Sequence, residues 1–232
     1  MGFKTSTRAC EFYLNLLRMN YKHLIFDFDG VLVESNEIRL DGFRSLFCNY
    51  PSYEVEKLIQ FSRTNGGLSR YKKIRYFFEE ILNEPISVDN IQALAKQYSN
   101  LVKQKVISAE PVIGSLEFLS SYKGKCDFAI VSGSDQEELR EVCQVRRISN
   151  YFVEILGSPE SKESNLLLLI AKMHWGKESC LFIGDSLNDL DAAQTCGIDF
   201  IGRDSGLVNW STMNNIPIIK DISRLPLYLK EL

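Results

Sequence analysis

The sequence predicts an α/β fold in which a doubly wound, mainly parallel sheet of the Rossmann-like type carries an inserted all-helical cap. Short apolar runs recur along the chain, and segments with helical periodicity separate them. Such an alternation is typical of a doubly wound α/β domain. From about residue 36 to about residue 106 the helical patterns continue without a convincing strand, and this stretch predicts the cap.

The predicted strands are short and bounded by Gly, Ser, Asp or Pro, as is typical of buried parallel strands. They are Leu24–Phe26, Phe128–Val131, Phe152–Leu156, Leu181–Ile183, Phe200–Ile201 and Ile216–Ile219. The segment Ser134-Asp135-Gln136-Glu137 predicts a capping box at the start of a helix.

Two helical patterns are clearest within the predicted cap. The first is an apolar face at helical spacing, which consists of Tyr71, Ile74, Phe78, Ile81 and Leu82. The second predicts a further helix over 88–106. The chain then divides into an N-terminal extension (1–21), a core (22–35 and 107–232) and a helical cap (36–106). An insertion after the first strand lies over the carboxyl ends of the strands, where open α/β sheets bind ligands.

Composition narrows the class of protein. The net charge of −3 argues against a nucleic-acid partner. No apolar run approaches the roughly 20 residues that span a bilayer, so no membrane association is expected, and residues 1–20 do not read as a signal peptide. The six cysteines are scattered, several of them within apolar runs. This usage favours a reducing compartment, and we expect a cytoplasmic protein.

Polar residues cluster where predicted strands end. Asp27 and Asp29 follow the first predicted strand, and Ser132 follows the second. Lys162 follows the third, and Asp185 and Asp189 follow the fourth. Carboxylates brought together at one sheet edge repel each other unless a cation neutralises them, and hard oxygen ligands favour Mg²⁺. A metal, Lys162 and the Ser132 hydroxyl could neutralise the oxygens of a phosphate monoester for attack by an anionic nucleophile.

Each segment alone has an ordinary structural explanation. Asp-Phe-Asp-Gly could be a turn, although a calcium loop is excluded because its sixth position is Leu32 and its twelfth is Ile38. Ser132 could be a cap residue, Lys162 a solvated charge, and Asp189 a residue that favours a helix N-terminus. The conjunction of four segments, each at a strand end, favours a shared catalytic site.

These segments resemble the four motifs of the haloacid dehalogenase superfamily. The first motif resembles 26–32, the second Val131-Ser132-Gly133-Ser134, the third Lys162, and the fourth 184–189. The resemblance covers nearly everything after about residue 22. The helical insertion resembles the cap of the phosphoglycolate phosphatase and β-phosphoglucomutase branch.

The resemblance implies a role for each residue. Asp27 would be the nucleophile that forms an aspartyl-phosphate, and Asp29 the general acid and then the general base. Ser132, Gly133 and Lys162 would bind the phosphoryl group. Mg²⁺ would be held by Asp27, the Asp29 backbone carbonyl and Asp185, with Asp189 as support. The presence of Asp29 argues against the halide-displacing members, which typically lack it.

The cap offers one candidate for substrate contact. Gly66-Gly67-Leu68-Ser69-Arg70 precedes a helix, and Arg70 lies where the resembling branch carries an arginine for substrate specificity. It could grip the distal, anionic end of the substrate. A solvated helix face is the alternative, since Lys72 and Lys73 fall opposite the apolar stripe. Glu34 lies where the family often has Asp, and we expect this difference to have only a modest effect on the site.

The predicted activity is therefore that of a Mg²⁺-dependent phosphatase acting on a small phosphorylated metabolite, such as a sugar or sugar-acid phosphate. A phosphomutase of the β-phosphoglucomutase type would use the same aspartyl-phosphate and is the alternative. A non-catalytic module that kept the fold is a third reading, but none of Asp27, Asp29, Lys162 and Asp185 is lost.

Overall fold

Six parallel strands form the centre of the molecule, in a computed structural model that describes residues 21–213 and 216–229. The strand order is β3-β2-β1-β4-β5-β6, and every neighbouring pair is parallel. The strands are β1 (His23–Phe26), β2 (Asp127–Asp135), β3 (Phe152–Ser158), β4 (Cys180–Gly184), β5 (Asp199–Arg203) and β6 (Ile218–Ile219). The predicted doubly wound sheet is confirmed.

Side chains alternate across this sheet and divide the core into two layers. In β1, Leu24 and Phe26 join one hydrophobic cluster and Ile25 joins the other. Helices α5 (Ser115–Tyr122) and α6 (Gln136–Val145) supply the first layer, and α7 (Lys162–Met173) and α8 (Leu187–Cys196) supply the second. Because both faces are covered, the central strands β1 and β4 are almost entirely apolar, and such runs were recognisable in the sequence.

Residues 36–108 contain helices and no strand, and all of them belong to the described ranges. The helices are α1 (Asn36–Leu46), α2 (Ser52–Thr64), α3 (Arg70–Tyr76), which continues as a π-helical turn (Phe77–Leu82), and α4 (Val88–Ser108). Gly42 allows α1 to approach α4, since a Cβ there would lie 2.3 Å from Val102 Cγ1. The predicted helix over 88–106 is confirmed.

The predicted apolar face packs against the core: Ile74 is fully buried, and Tyr71, Phe78, Ile81 and Leu82 are partly buried beside it. The prediction missed Phe77, which is fully buried at the start of the π-helical turn. The capping box predicted over Ser134–Glu137 is wrong: Asp135 caps α6 by accepting a hydrogen bond from the Glu138 amide (3.0 Å). The Ser134 hydroxyl donates instead to Asp29 Oδ2.

The predicted N-terminal extension (1–21) lies outside the described residues except for Tyr21. The Tyr21 side chain is buried, and its hydroxyl donates to Asp199 Oδ2 (2.8 Å). Among the described residues, no helix is both long and apolar enough to cross a membrane.

Candidate active site

An ion-paired lysine lies at the centre of the site, between two carboxylates. Asp27 directly follows β1, and Lys162 is the first residue of α7, whose N-cap is Ser161. Lys162 Nζ donates to Asp27 Oδ2 (2.8 Å) and to Asp189 Oδ1. All three side chains are buried. Burial alone would lower the pKa of Lys162, but Asp189 and Asp27 raise it well above its usual value, so this lysine is charged.

A third carboxylate joins the same group. Ligand oxygens of Asp27, Asp185 and Asp189 lie within 4.8 Å of one another, and all three residues are buried. Burial is the largest cause that raises the pKa of Asp185 to about 7, and the charges of Asp27 and Asp189 add to it. Three buried carboxylates beside a single lysine leave excess negative charge. This donor set therefore fits a divalent cation that prefers oxygen ligands.

Asp189 has a second task within α8. Its Oδ2 accepts from the Ser186 amide (3.0 Å) and from the Ser186 hydroxyl (2.6 Å), while its own amide donates back to Ser186 Oγ. This reciprocal pair is the capping box of α8. Because Lys162 and Ser186 occupy both oxygens of Asp189, this residue orients its neighbours.

Asp29 faces the other side of the site and is held by three donors. They are Ser35 Oγ (2.5 Å), Ser134 Oγ (2.6 Å) and Arg39 Nε (2.9 Å). Burial would raise the pKa of Asp29, but the charge of Arg39 and these hydrogen bonds outweigh it, so the pKa lies below its usual value. The Asp29 carboxylate is thus ionised in this arrangement.

The loop that leads into α3 covers the predicted phosphate-binding residues. Ser132 is buried, and a Cβ on Gly133 would lie only 2.0 Å from the Gly67 carbonyl oxygen. A Cβ on Gly67 would in turn lie 2.7 Å from Lys162 Nζ. Asn188 Nδ2 ties the loop down by donating to the Gly66 carbonyl (2.7 Å). Glycine is therefore required on both sides of this contact.

Arg70 reaches the site but is already paired. Its guanidinium makes a two-pronged contact with Glu138, with Nη1 to Oε2 at 2.7 Å and Nη2 to Oε1 at 3.0 Å. Nη1 also donates to Ser99 Oγ (2.5 Å), and the guanidinium lies 4.8 Å from the centre of the Tyr98 ring. Glu138 binds Arg39 as well (2.5 Å). The predicted role of Arg70 at the distal end of the substrate stays a prediction, and Glu138 competes for the same donors.

These groups line a partly open cavity of about 70 Å³. It is lined by the sequence-predicted residues Asp27, Asp29, Arg70, Ser132, Gly133 and Asp185, and by Asn36, Arg39, Ser62 and Lys73, among others. The structure thus brings the four predicted segments together at one sheet edge. Lys162 and Asp189 adjoin this cavity, since Lys162 Nζ donates to Asp27, which lines it, and to Asp189.

The position of Lys73 contradicts the alternative in which Lys72 and Lys73 lie on a solvated helix face. Its neighbour Lys72 is exposed, but Lys73 is 9% exposed and lines the cavity. Burial lowers the pKa of Lys73 to about 8, with Asp29 opposing and Lys162 and Arg39 adding to the effect. The two lysines differ because α3 docks one side onto the core, which its local pattern of charges does not reveal.

Several other site residues were missed by sequence reasoning. Asn36 Nδ2 donates to Asp185 Oδ2 (2.7 Å), and Arg39 lies one turn further along α1 beside Asp29. The serine at position 35 could have been recognised as the start of a helix. Asn36 and Arg39 would then have been expected on one face of it, since residues three or four apart on a helix share a face. Glu34, expected to have a modest effect, pairs with Arg203, whose Nη1 also donates to the Gly30 carbonyl (3.1 Å).

Comparison with known proteins agrees with this geometry. The family model described as haloacid dehalogenase-like hydrolase matches residues 24–203. A phosphoglycolate phosphatase from Pasteurella multocida is 28% identical over 209 residues, which cover 85% of this chain and 90% of that protein.

Solved structures share the fold at lower identity. A haloacid dehalogenase-like family hydrolase from Streptococcus pneumoniae has a TM-score of 0.66 at 20% identity, with 90% of this chain and 98% of that chain covered. A predicted β-phosphoglucomutase from Bacteroides vulgatus has a TM-score of 0.74 at 16% identity, with 96% and 98% covered.

Proposed function

Because the chain belongs to the haloacid dehalogenase-like hydrolases and is similar to a phosphoglycolate phosphatase, it is a phosphatase, and we propose that it hydrolyses a small phosphate monoester through an aspartyl-phosphate on Asp27. The observation that carries this proposal is the contact between Asp27 and Lys162 at the carboxyl end of β1, within a group of three buried carboxylates. The substrate would be a sugar or sugar-acid phosphate.

Asp27 has the surroundings that a carboxylate nucleophile needs. Its Oδ1 accepts from the Phe28 amide (2.7 Å) and its Oδ2 from Lys162, so the carboxylate is held in one orientation. Attack on phosphorus would form the bond to Asp27 and break the bond to the leaving oxygen. Water would then hydrolyse the acyl phosphate. Two steps replace one difficult displacement, which is the advantage of covalent catalysis.

Asp29 would handle the proton in both steps. Arg39, Ser35 and Ser134 favour its ionised form, which suits the base that activates water in the second step. For the first step Asp29 must donate a proton to the leaving oxygen. We expect the negative charge of a bound phosphoryl group to raise the pKa of Asp29 toward that role.

We propose Mg²⁺ as the cofactor, with Asp27, Asp185 and the Asp29 backbone carbonyl as ligands and Asp189 as their support. When bound, a divalent cation would neutralise phosphate oxygens so that an anionic nucleophile can approach. Ser132, Gly133 and Lys162 would bind the remaining oxygens. The supporting observation is the excess negative charge of the three buried carboxylates.

The division of the chain is part of the same proposal. Residues 22–35 and 107–232 would act as the catalytic core and 36–106 as a cap that excludes water during the reaction and opens for release. Small phosphorylated metabolites would be its partners, with no nucleic acid or membrane involved. A cytoplasmic location is supported by the free thiols of the described cysteines, which are Cys48, Cys126, Cys143, Cys180 and Cys196.

A phosphomutase is the second candidate, and the likeness to the predicted β-phosphoglucomutase favours it. Such an enzyme must hold a substrate by a distal phosphate while the other end reacts. Arg70, the residue expected to do so, is held by a two-pronged contact with Glu138. Incubation with a hexose 1-phosphate distinguishes the two activities: a mutase yields the 6-phosphate, and a phosphatase releases inorganic phosphate.

The decisive experiment measures phosphate release from a panel of phosphate monoesters with Mg²⁺, using the wild type and Asp27→Asn. We expect the variant to lose activity by about 10³-fold or more, because it lacks the nucleophile. Asp191→Asn is the matched control, since Asp191 is an exposed carboxylate on α8. A chelator should abolish wild-type activity and Mg²⁺ should restore it. Equal activity of the wild type and Asp27→Asn would contradict the assignment.

A further inference from the structure

Arg203 is a buried arginine that the proposed reaction does not use. It is the last residue of β5 and is only 8% exposed. Its Nε donates to the Lys220 carbonyl (3.2 Å), and its Nη1 donates to the Gly30 carbonyl (3.1 Å). Nη1 and Nη2 both contact the Glu34 carboxylate. A buried cation is costly unless it is paired, and Glu34 supplies the opposite charge.

Gly30 is the residue through which Arg203 can act on the site. Its φ angle of +71° lies in the left-handed region, which favours glycine. Its amide donates to the Val33 carbonyl (2.8 Å), and its carbonyl accepts from Arg203. Both backbone groups of Gly30 are therefore fixed, one within its own loop and the other by a side chain from β5.

Two of the three proposed metal ligands depend on the position of Gly30. The Asp29 carbonyl belongs to the same planar peptide unit as the Gly30 amide, so the hydrogen bond that orients the amide also orients the carbonyl. The Asp185 carboxylate lies against Gly30, since a Cβ on Gly30 would be 2.0 Å from Asp185 Oδ2. Asn36 Nδ2 donates to the same oxygen (2.7 Å). A displacement of Gly30 would therefore move both ligand groups.

We propose that Arg203, held in place by Glu34, is a positioning residue for the Mg²⁺ site. It acts through Gly30 on the two ligand groups just described. This inference rests on the proposed Mg²⁺-dependent phosphatase function and adds to it a residue outside the reaction centre. Residues that orient metal ligands in this way change metal affinity by about 10- to 100-fold when they are replaced.

The charge of Arg203 and its contacts have opposite effects on a bound cation. A positive charge near the site repels Mg²⁺, so removing the charge alone would strengthen metal binding. Removing the contact to Gly30 frees the backbone that orients the ligands, and this weakens metal binding. Arg203→Met takes away both, because methionine fills space but has no hydrogen-bond donor. The direction of the change in Kd therefore shows which effect dominates.

The test measures metal binding directly, without substrate or turnover. Isothermal titration calorimetry with Mg²⁺ and electron paramagnetic resonance of Mn²⁺ each give a Kd for the wild type and its variants. We expect Arg203→Met to raise the Kd by about 10- to 100-fold. Glu34→Gln should raise it by about 3- to 10-fold, because a neutral amide holds the guanidinium less firmly than a carboxylate does. In phosphatase assays both variants should need more Mg²⁺, and saturating Mg²⁺ should restore most of kcat.

Further variants keep the test decisive if Arg203→Met loses stability. Arg203→Lys keeps the charge, but one ammonium cannot serve all three acceptors of the planar guanidinium. It should also weaken binding, whereas an effect of charge alone would leave the Kd unchanged. The double variant of Arg203→Met with Glu34→Gln should bind Mg²⁺ no more weakly than Arg203→Met, since Glu34 acts through Arg203. Glu110→Gln is the matched control, because it removes an exposed carboxylate from a residue whose carbonyl accepts from the Glu34 amide.

The outcomes separate this inference from the function on which it rests. A Kd that is unchanged or lower in Arg203→Met, with a cooperative thermal transition that shows a folded protein, would overturn the positioning role while the phosphatase function stands. If Arg203→Met does not fold, an unchanged Kd in Arg203→Lys would do the same. A wild type that binds neither Mg²⁺ nor Mn²⁺ would overturn this inference together with the proposed cofactor. No hydrolysis of any phosphate monoester would overturn the proposed function itself.

Discussion

The charge on buried Lys73 should couple the stability of the protein to pH. Burial lowers its pKa from 10.5 to about 8. Between these values the unfolded chain binds a proton at this site that the folded protein does not. Stability therefore rises with pH in that window. Below about pH 8 the full cost of a charged, buried Lys73 is present, and above 10.5 it is relieved.

The size of the effect follows from the same two values. A fall from 10.5 to about 8 corresponds, at about 1.4 kcal/mol for each pH unit, to about 3 kcal/mol. Lys73→Met has no proton to exchange. Its stability relative to the wild type should thus be greatest near pH 7 and should decline by about 3 kcal/mol by pH 10.5. Other titrating groups are common to both proteins and cancel in the difference.

Urea denaturation of both proteins between pH 6.5 and pH 10.5, with a chelator present, measures this difference directly. Lys96→Met should track the wild type at every pH, since Lys96 is exposed. A stability difference between Lys73→Met and the wild type that stays constant over the whole range would show that Lys73 has an ordinary pKa, and the argument from its burial would fail.

Two further predictions concern contacts between the helical segment and the core. Gly133→Ala places a Cβ 2.0 Å from the Gly67 carbonyl oxygen, so the covering loop must move; we expect kcat/KM to fall at least about 10-fold and thermal denaturation to show a loss of about 1–3 kcal/mol. Wild-type kinetics and Tm in this variant would show that the loop does not lie against β2. Glu138→Gln leaves two buried arginines short of charge and should cost about 3–5 kcal/mol in urea denaturation. Glu141→Gln breaks an exposed pair on the same helix and should cost less than about 1 kcal/mol; equal losses in the two variants would contradict the prediction.

The strands and the reaction centre were readable because their signals are local. A parallel strand covered on both faces is an uninterrupted apolar run, and the residue after it lies at the carboxyl edge of the sheet. This logic placed Asp27, Lys162 and Asp185 together from the sequence alone. The structure joins Asp27 to Lys162 at 2.8 Å, although 135 residues separate them in the chain. Their catalytic roles stay predictions.

The partners of Arg70 could not be predicted from the sequence, since they depend on how the helices pack against each other. Glu138 lies 68 residues away on α6, and nothing in its local sequence distinguishes it from exposed Glu137 or Glu141. Lys73 was obscure for the same reason, between the exposed Lys72 and the buried Ile74. Phe77, fully buried at the start of the π-helical turn, was also missed, because the periodicity argument assumes one helix type throughout.

The residues that the sequence identified and the residues that it missed lie in different parts of the site. The groups proposed for phosphoryl chemistry follow strands of a sheet whose position the core fixes. Arg39, Ser62 and Lys73, which line the same cavity, come from helices of the inserted segment. Helix faces can change their charges without disturbing the sheet. A substitution at Lys73 should therefore alter which substrate is accepted while leaving the chemistry at Asp27 intact.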